Sequence, residues 1–204
     1  MKIAILGFGN VGKQFAALFT KAGYEVIIGL RSPLQKLPYA SAPFKETIEN
    51  SDCVAFAIPF TVCLNLLPEL AEVMKGKIVI DSTNPLNDDW SSKLLGQENS
   101  AAEEISRLLP DAYVVRAFNT IFADVMDKPV MGGQAITAFI AGDHEAAKQQ
   151  IIALARNMGY APLDTGSLST SRYLEAMAHL NIQIAVGQGG GTNAAFVYLQ
   201  NLTA

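Results

Sequence analysis

The chain has 204 residues, half of them hydrophobic and only 17% charged, enough for one large α/β domain with a small appendix and too apolar for a disordered chain. Its net charge of −4 contains no block of like charges, so neither a nucleic-acid surface nor an anionic-membrane surface is expected. Mean hydropathy is positive (+0.23), yet every apolar run breaks well short of the roughly 18 residues of a membrane span, and the apolar start ends at Gly7, too early for a secretory leader. A cytoplasmic protein without a membrane segment is the expectation.

Residues 2–6 and 25–29 are short runs of β-formers, and between them Val11, Phe15, Leu18, Phe19 and Ala22 recur at helical spacing. Continuous rather than alternating apolar strands imply a parallel sheet covered on both faces. The alternation continues with a helix over 43–50, a strand over 53–58, a helix over 61–74 and a strand over 77–81. A polar stretch from Asn84 to Ser100, containing Trp90 and Gly96, is too long for a simple turn and reads as an excursion beside a site. Ser100 then caps a helix over 101–109, with Glu103 completing a capping box. Strands follow at 112–118 and 135–141, then a helix over 143–157 beginning at Asp143, and a strand over 160–163. Residues 167–171 form a polar entry to a helix running to about Val186, the glycines at 189–191 break it, and a last short helix covers 193–199. Cys53 and Cys63 fit no disulfide framework and no metal spacing, and both are expected to be buried.

Gly7-Phe8-Gly9-Asn10-Val11-Gly12 is a complete G-x-G-x-x-G, and its context makes it informative: it follows the first strand directly and opens an amphipathic helix. Gly7 permits the tight turn, Gly9 lets backbone approach a diphosphate, and Gly12 lets the helix press on the sheet; the N–H groups at the helix start then hold the anion. The second strand ends Ile28-Gly29-Leu30-Arg31-Ser32, with no Asp or Glu to accept hydrogen bonds from both ribose hydroxyls. Arg31 stands there instead. A guanidinium offers planar contacts to a 2′-phosphate, Ser32 adds a hydroxyl and Lys36 further charge, so NADP(H) is expected in preference to NAD(H). The predicted fold is therefore α/β, a Rossmann-type doubly wound, mostly parallel sheet over residues 1–165, with a short helical extension, 166–204, packed on it.

Ligands of such sheets bind outside the carboxyl ends of the strands. Ile58-Pro59-Phe60-Thr61, Asp81-Ser82-Thr83-Asn84-Pro85 and Arg116-Ala117-Phe118-Asn119-Thr120 each follow a strand, and Asn84, Asn119 and Thr120 are expected as polar contacts near the nicotinamide. No catalytic acid or base stands out. His144 is expected to be exposed and His179 packed or solvent-facing, with a proton donor as its alternative role. Ser169 and Ser171 read as caps, and Arg172 as a substrate contact or a partner of Glu175. Only Lys128 and Lys148 lie beyond residue 120, neither placed like the lysine of a β-hydroxyacid dehydrogenase.

With those residues in view, the chain resembles the coenzyme F420-dependent NADP oxidoreductases and, more widely, the reductase domain of the six-transmembrane metalloreductases. The resemblance runs over nearly the full length, through the phosphate loop, Gly29-Leu30-Arg31, Ala57-Ile58-Pro59, Ser100-Ala101-Ala102-Glu103, Ala117-Phe118-Asn119-Thr120, Ala141-Gly142-Asp143 and residues 162–168. It implies that Phe8 to Val11 bind the diphosphate, Leu30 and Arg31 the adenosine 2′-phosphate, and Ile58, Pro59, Asn84 and Asn119 the nicotinamide half. It further implies hydride transfer between NADPH and a deazaflavin, flavin or other small acceptor, a reaction that asks little proton chemistry of the protein. No membrane segment follows, so a haem-linked metalloreductase is not expected. The apolar C-terminal helices need a cover, and a homodimer is expected. An NADP(H)-binding redox sensor without catalysis, and an imine or carbonyl reductase, remain as alternatives.

Overall fold

The computed structural model describes residues 1–32 and 36–201. Its first half repeats strand and helix: β1 (Lys2–Leu6), α1 (Asn10–Lys21), β2 (Glu25–Leu30), β3 (Ala40–Pro43), α2 (Phe44–Glu49), β4 (Cys53–Phe56), α3 (Phe60–Met74) and β5 (Ile78–Asp81). There follow α4 (Ala101–Leu108), β6 (Tyr113–Ala117), α5 (Ala123–Met126), a small hairpin of β7 (Val130–Met131) and β8 (Gln134–Ala135), β9 (Thr137–Gly142), α6 (Glu145–Asn157), β10 (Ala161–Asp164) and α7 (Ser171–Ile182). The main sheet runs β10-β9-β6-β5-β4-β1-β2-β3. From β3 to β6 every pairing is parallel, which is the doubly wound 3-2-1-4-5-6 order. β9 joins β6 antiparallel and β10 lies parallel to β9.

Because successive side chains of a strand point to opposite faces, β1 feeds two cores at once. Ile3 and Ile5 pack with Phe15 and Phe19 of α1 and Ile151 and Leu154 of α6. Ala4 and Leu6 pack with Leu67 of α3, Ile48 of α2 and Ile105 of α4. A third, smaller cluster joins Phe139 and Ala141 of β9 to Leu174 of α7, so the C-terminal helix is bound to the sheet through its apolar face. Both cysteines are buried, and burial pushes their thiols up, that of Cys53 to about 12. Among the described residues no helix is long and apolar enough to cross a membrane.

Several local expectations are corrected. β3, α5 and the β7–β8 hairpin were not foreseen. β3 is an edge strand that ends in proline, where a missing ladder donor costs least. α6 starts at Glu145 and not Asp143, because the exposed His144 is its N-cap, with Nδ1 accepting from the Ala147 N–H (3.2 Å). The Asp143 carboxylate instead accepts from the Leu168 N–H (2.8 Å) and fastens the entry to α7. Ser100 does cap α4, accepting from the Glu103 N–H, but its own N–H goes to Asn99 Oδ1 rather than back to Glu103. Ser169 and Ser171 cap nothing: a single 3-10 turn, Leu168–Thr170, leads into α7 without a side-chain cap. The helix expected over 193–199 does not form. That segment has no regular secondary structure, with the Thr137 N–H donating to the Phe196 carbonyl (3.0 Å) and the Tyr198 N–H to Thr137 Oγ1 (2.8 Å). Seven residues cannot repay helix nucleation alone, whereas the free backbone at the start of β9 offers partners.

Candidate functional site

Gly7 occupies φ 99°, and a Cβ there would lie 2.7 Å from the Ala57 carbonyl oxygen. A Cβ on Gly12 would lie 2.3 Å from the Gly7 carbonyl oxygen, so helix and strand touch backbone to backbone. Gly9 differs: nothing stands within 4 Å of its would-be Cβ. It is the N-cap of α1, no side chain caps that end, and no acidic residue lies in the first turn. The helix therefore presents its first N–H groups, and the positive end of its dipole, to open space at the carboxyl edge of the sheet.

From that edge opens a cavity of about 540 Å³. Asn10 and Val11 of α1, Ile58 and Pro59 before α3, Ser82 and Asn84 after β5, and Asn119 and Thr120 after β6 all line it. The three strand-end segments singled out in the sequence are thus brought together. Asn84 and Asn119 join crosswise: Asn84 Nδ2 donates to the Asn119 carbonyl (2.8 Å), and Asn119 Nδ2 donates to Asn84 Oδ1 (3.1 Å) and to the Leu174 carbonyl (3.0 Å). Asn119 Oδ1 is buried with no hydrogen-bond partner among the described residues. Just before it, Phe118 holds φ 64°, a left-handed conformation unusual for an aromatic residue, kept by packing on Phe15 and Tyr160.

Leu30 and Arg31 line a second cavity, of about 490 Å³, together with Phe44, Asn65 and Glu69. Arg31, Ser32 and Lys36 are exposed, and the last two line neither cavity. Phe8 packs edge-on against Tyr39 (5.9 Å between centroids).

Beneath the first cavity lies a group that the sequence does not reveal. Arg116, fully buried, bridges the carboxylates of Asp81 and Glu175, the latter at 2.6 Å. Asp81 Oδ1 also accepts from the N–H and hydroxyl of Thr83, and Glu175 accepts from the Ala101 N–H (2.8 Å), so the triad ties β5, β6, α4 and α7 into one frame. Burial raises the Glu175 carboxyl to about 7; Arg116 opposes the rise and Asp81 adds to it. Arg172 contacts neither Glu175 nor the cavity and pairs with Glu103 instead (2.7 Å). Lys148 is held by Glu145 and Asp164, both at 3.1 Å. His179 is packed: Nε2 donates to the Pro85 carbonyl (3.1 Å), burial lowers its pKa, and it is not among the described residues that line the cavity.

The far wall was not read from the sequence. Ala178, Asn181 and Ile182 of α7, Val186 in the π-helical turn Gln183–Gly187, and Thr192 close it, with Trp90 at the rim. The only sequence signal for this wall is a buried asparagine, Asn181, inside an otherwise amphipathic helix.

A family model described as "NADP oxidoreductase coenzyme F420-dependent" matches residues 2–85. The metalloreductase STEAP3 of Rattus norvegicus is 33% identical over 180 residues, 86% of this chain but 36% of that protein, so the chain spans about a third of the length of the metalloreductases it matches. The F420-dependent NADP reductase of Methanothermobacter marburgensis is 30% identical over 209 residues, covering 91% of this chain and 93% of that one. A crystal structure of an Arthrobacter sp. FB24 protein described as an F420-dependent NADP reductase superposes with a TM-score of 0.88 at 29% identity, covering 98% of this chain and 100% of the other.

Proposed function

Because the chain belongs to the family of coenzyme F420-dependent NADP oxidoreductases, we propose that it is an NADP(H)-dependent enzyme that passes a hydride between NADPH and a deazaflavin, flavin or other small acceptor. One observation carries the reading: the uncapped start of α1, over the open Gly9, faces the cavity where three strand ends meet. The residues present fit the cofactor. The N–H groups of Phe8 to Val11 hold the diphosphate, with Gly7 and Gly12 setting the turn. Leu30 and Arg31, with Ser32 and Lys36, receive the adenosine 2′-phosphate. Ile58, Pro59, Asn84 and Asn119 orient the nicotinamide half, and the unpartnered Asn119 Oδ1 is an acceptor in want of a donor such as a carboxamide N–H. NADPH supplies the hydride when bound, and the balancing proton comes from solvent. The protein's own part is orientation and exclusion of water, which suits a cavity with no histidine among its described lining residues, His179 being engaged with the Pro85 carbonyl.

In the same reading residues 1–165 are the nucleotide-binding domain and 166–204 an extension, of which Ala178, Asn181, Ile182, Val186 and Thr192 close the cavity. The enzyme works in the cytoplasm as a homodimer, the exposed Tyr173 and Leu180 of α7 and the nearby Ile184 being the apolar surface to be covered. Stopped-flow mixing of the protein with NADPH and a panel of deazaflavin, flavin, imine and carbonyl acceptors tests the activity. Burst or steady oxidation with at least one acceptor is expected. Tight NADPH binding with no oxidation by any of them would overturn catalysis and favour a redox sensor.

A further inference from the structure

Trp90 is the chain's one tryptophan, and it lines the first cavity while remaining 63% exposed. Its φ of 67° lies in the left-handed region, disfavoured for a bulky side chain. The turn around it over-determines that conformation. The Trp90 N–H donates to the Asn87 carbonyl (3.0 Å), Asn87 N–H to the Ser91 carbonyl (2.9 Å), Asn87 Nδ2 to Ser91 Oγ (2.9 Å), and Ser91 N–H and Oγ to Asp89 Oδ1 (3.0 and 2.6 Å). Leu86 and Ser92 close the turn with a bridge. So many bonds spent on a strained residue present an indole at the rim instead of burying it, and among the described residues no aromatic ring stacks on it. The charge of the lining is also one-sided. Among the described lining residues Asp88 and Asp124 are the only charged ones, and none is Lys, Arg or His. Ile121, Phe122 and Ile182 complete an apolar wall.

We propose that Trp90 is the stacking platform for the hydride acceptor, and that the acceptor is a planar, conjugated heterocycle whose cavity-bound part carries no negative charge. The inference rests on the reading of this cavity as the NADP(H)-dependent site. A flat π-system gains most from an indole held ready at an apolar rim, whereas a phosphate brought to Asp88 or to Asp124 meets like charge with no cation among the described lining residues to answer it.

Trp90 reports on its own occupancy, since it is the sole source of tryptophan emission. The full chain saturated with NADP+ is titrated with riboflavin, which is neutral, and with FMN, which has the same ring and a phosphate. Saturable quenching by riboflavin is expected, with affinity about fivefold above that of FMN at low salt and a gap that closes as ionic strength rises. Trp90→Ala should weaken riboflavin, followed by its own fluorescence, about tenfold, or about 1.4 kcal/mol, while Trp90→Phe stays within about threefold of the parent. NADPH affinity should be the same in all three proteins. Absence of saturable quenching, FMN binding as tightly as riboflavin, or unchanged riboflavin affinity in Trp90→Ala overturns the inference while NADPH still binds. Failure of NADPH itself to bind overturns the reading of the site, and this inference with it.

Discussion

Replacing Gly9 and Gly12 by alanine, one at a time, separates the two tasks of the phosphate loop. At Gly12 the new methyl would sit 2.3 Å from the Gly7 carbonyl oxygen and 3.0 Å from its carbon. Both are backbone atoms, so α1 must lift from β1. Overpacking of this kind costs about 1–3 kcal/mol, and a chain of this length loses about 2–4 °C of Tm per kcal/mol, which gives a fall of roughly 2–12 °C. At Gly9 nothing lies within 4 Å, and the backbone (φ −74°, ψ −161°) suits an L-residue. The poorer N-cap, about 0.5–1 kcal/mol, is offset by about 0.4–1 kcal/mol from a less flexible unfolded chain, so Tm should move by less than about 2 °C. The methyl nevertheless stands where the backbone would approach a diphosphate, and NADPH affinity should fall by more than about tenfold. Scanning calorimetry of the unliganded proteins and isothermal titration with NADPH make the comparison. Wild-type affinity in Gly9→Ala, or equal destabilisation by both substitutions, would refute the assignment of Gly9 to the ligand and Gly12 to the fold.

The buried triad yields two further tests. Glu175 keeps its proton in the folded protein up to about pH 7, whereas the unfolded chain releases it near the ordinary glutamate value of 4.5. The folded state therefore binds more protons in that window, and stability conferred by this group is full below it, falls as pH rises through it, and is level above. Relative to Glu175→Gln, the parent should lose Tm steadily over this range; a relative gain would mean that Arg116 keeps the carboxylate charged in acid. At about pH 8, above the Glu175 titration, Arg116→Met leaves the Asp81 and Glu175 carboxylates buried without a cation, at a cost of about 3–5 kcal/mol, or roughly 6–20 °C of Tm, and adding Glu175→Gln should return part of it. A loss below about 1 kcal/mol in thermal denaturation would show that the three charges do not act as a unit.

What could be read from the sequence is what local chemistry decides. The spacing of Gly7, Gly9 and Gly12 between an apolar strand and an amphipathic helix announces the tight turn from β1 into α1, and the order of apolar runs announces a parallel sheet. Strand direction at β9 was beyond reach, because it depends on the connection. Between Ala117 and Thr137 the chain makes only one turn of helix and a two-residue-stranded hairpin, with no crossover helix to return it parallel. The triad was hidden for a related reason. Arg116, Asp81 and Glu175 are separated by 35 and 59 positions, and only the assembled sheet and α7 make them neighbours. Arg172, three positions from Glu175 and so its natural helical partner, is drawn to Glu103 across the interface with α4. The excursion after Asn84 could be recognised as site-flanking, but not the turn that lifts the Trp90 indole to the cavity rim.

Arg31 is the residue proposed to recognise the 2′-phosphate of NADP(H), and nucleotide selectivity measures that proposal without any assumption about the acceptor. Titration of the parent protein with NADPH and NADH should show NADPH bound at least about tenfold more tightly, the value of a charge-assisted contact to phosphate. Arg31→Asp should abolish that margin by weakening NADPH while sparing NADH. Equal affinity for the two nucleotides in the parent, or an unchanged ratio in Arg31→Asp, would contradict it.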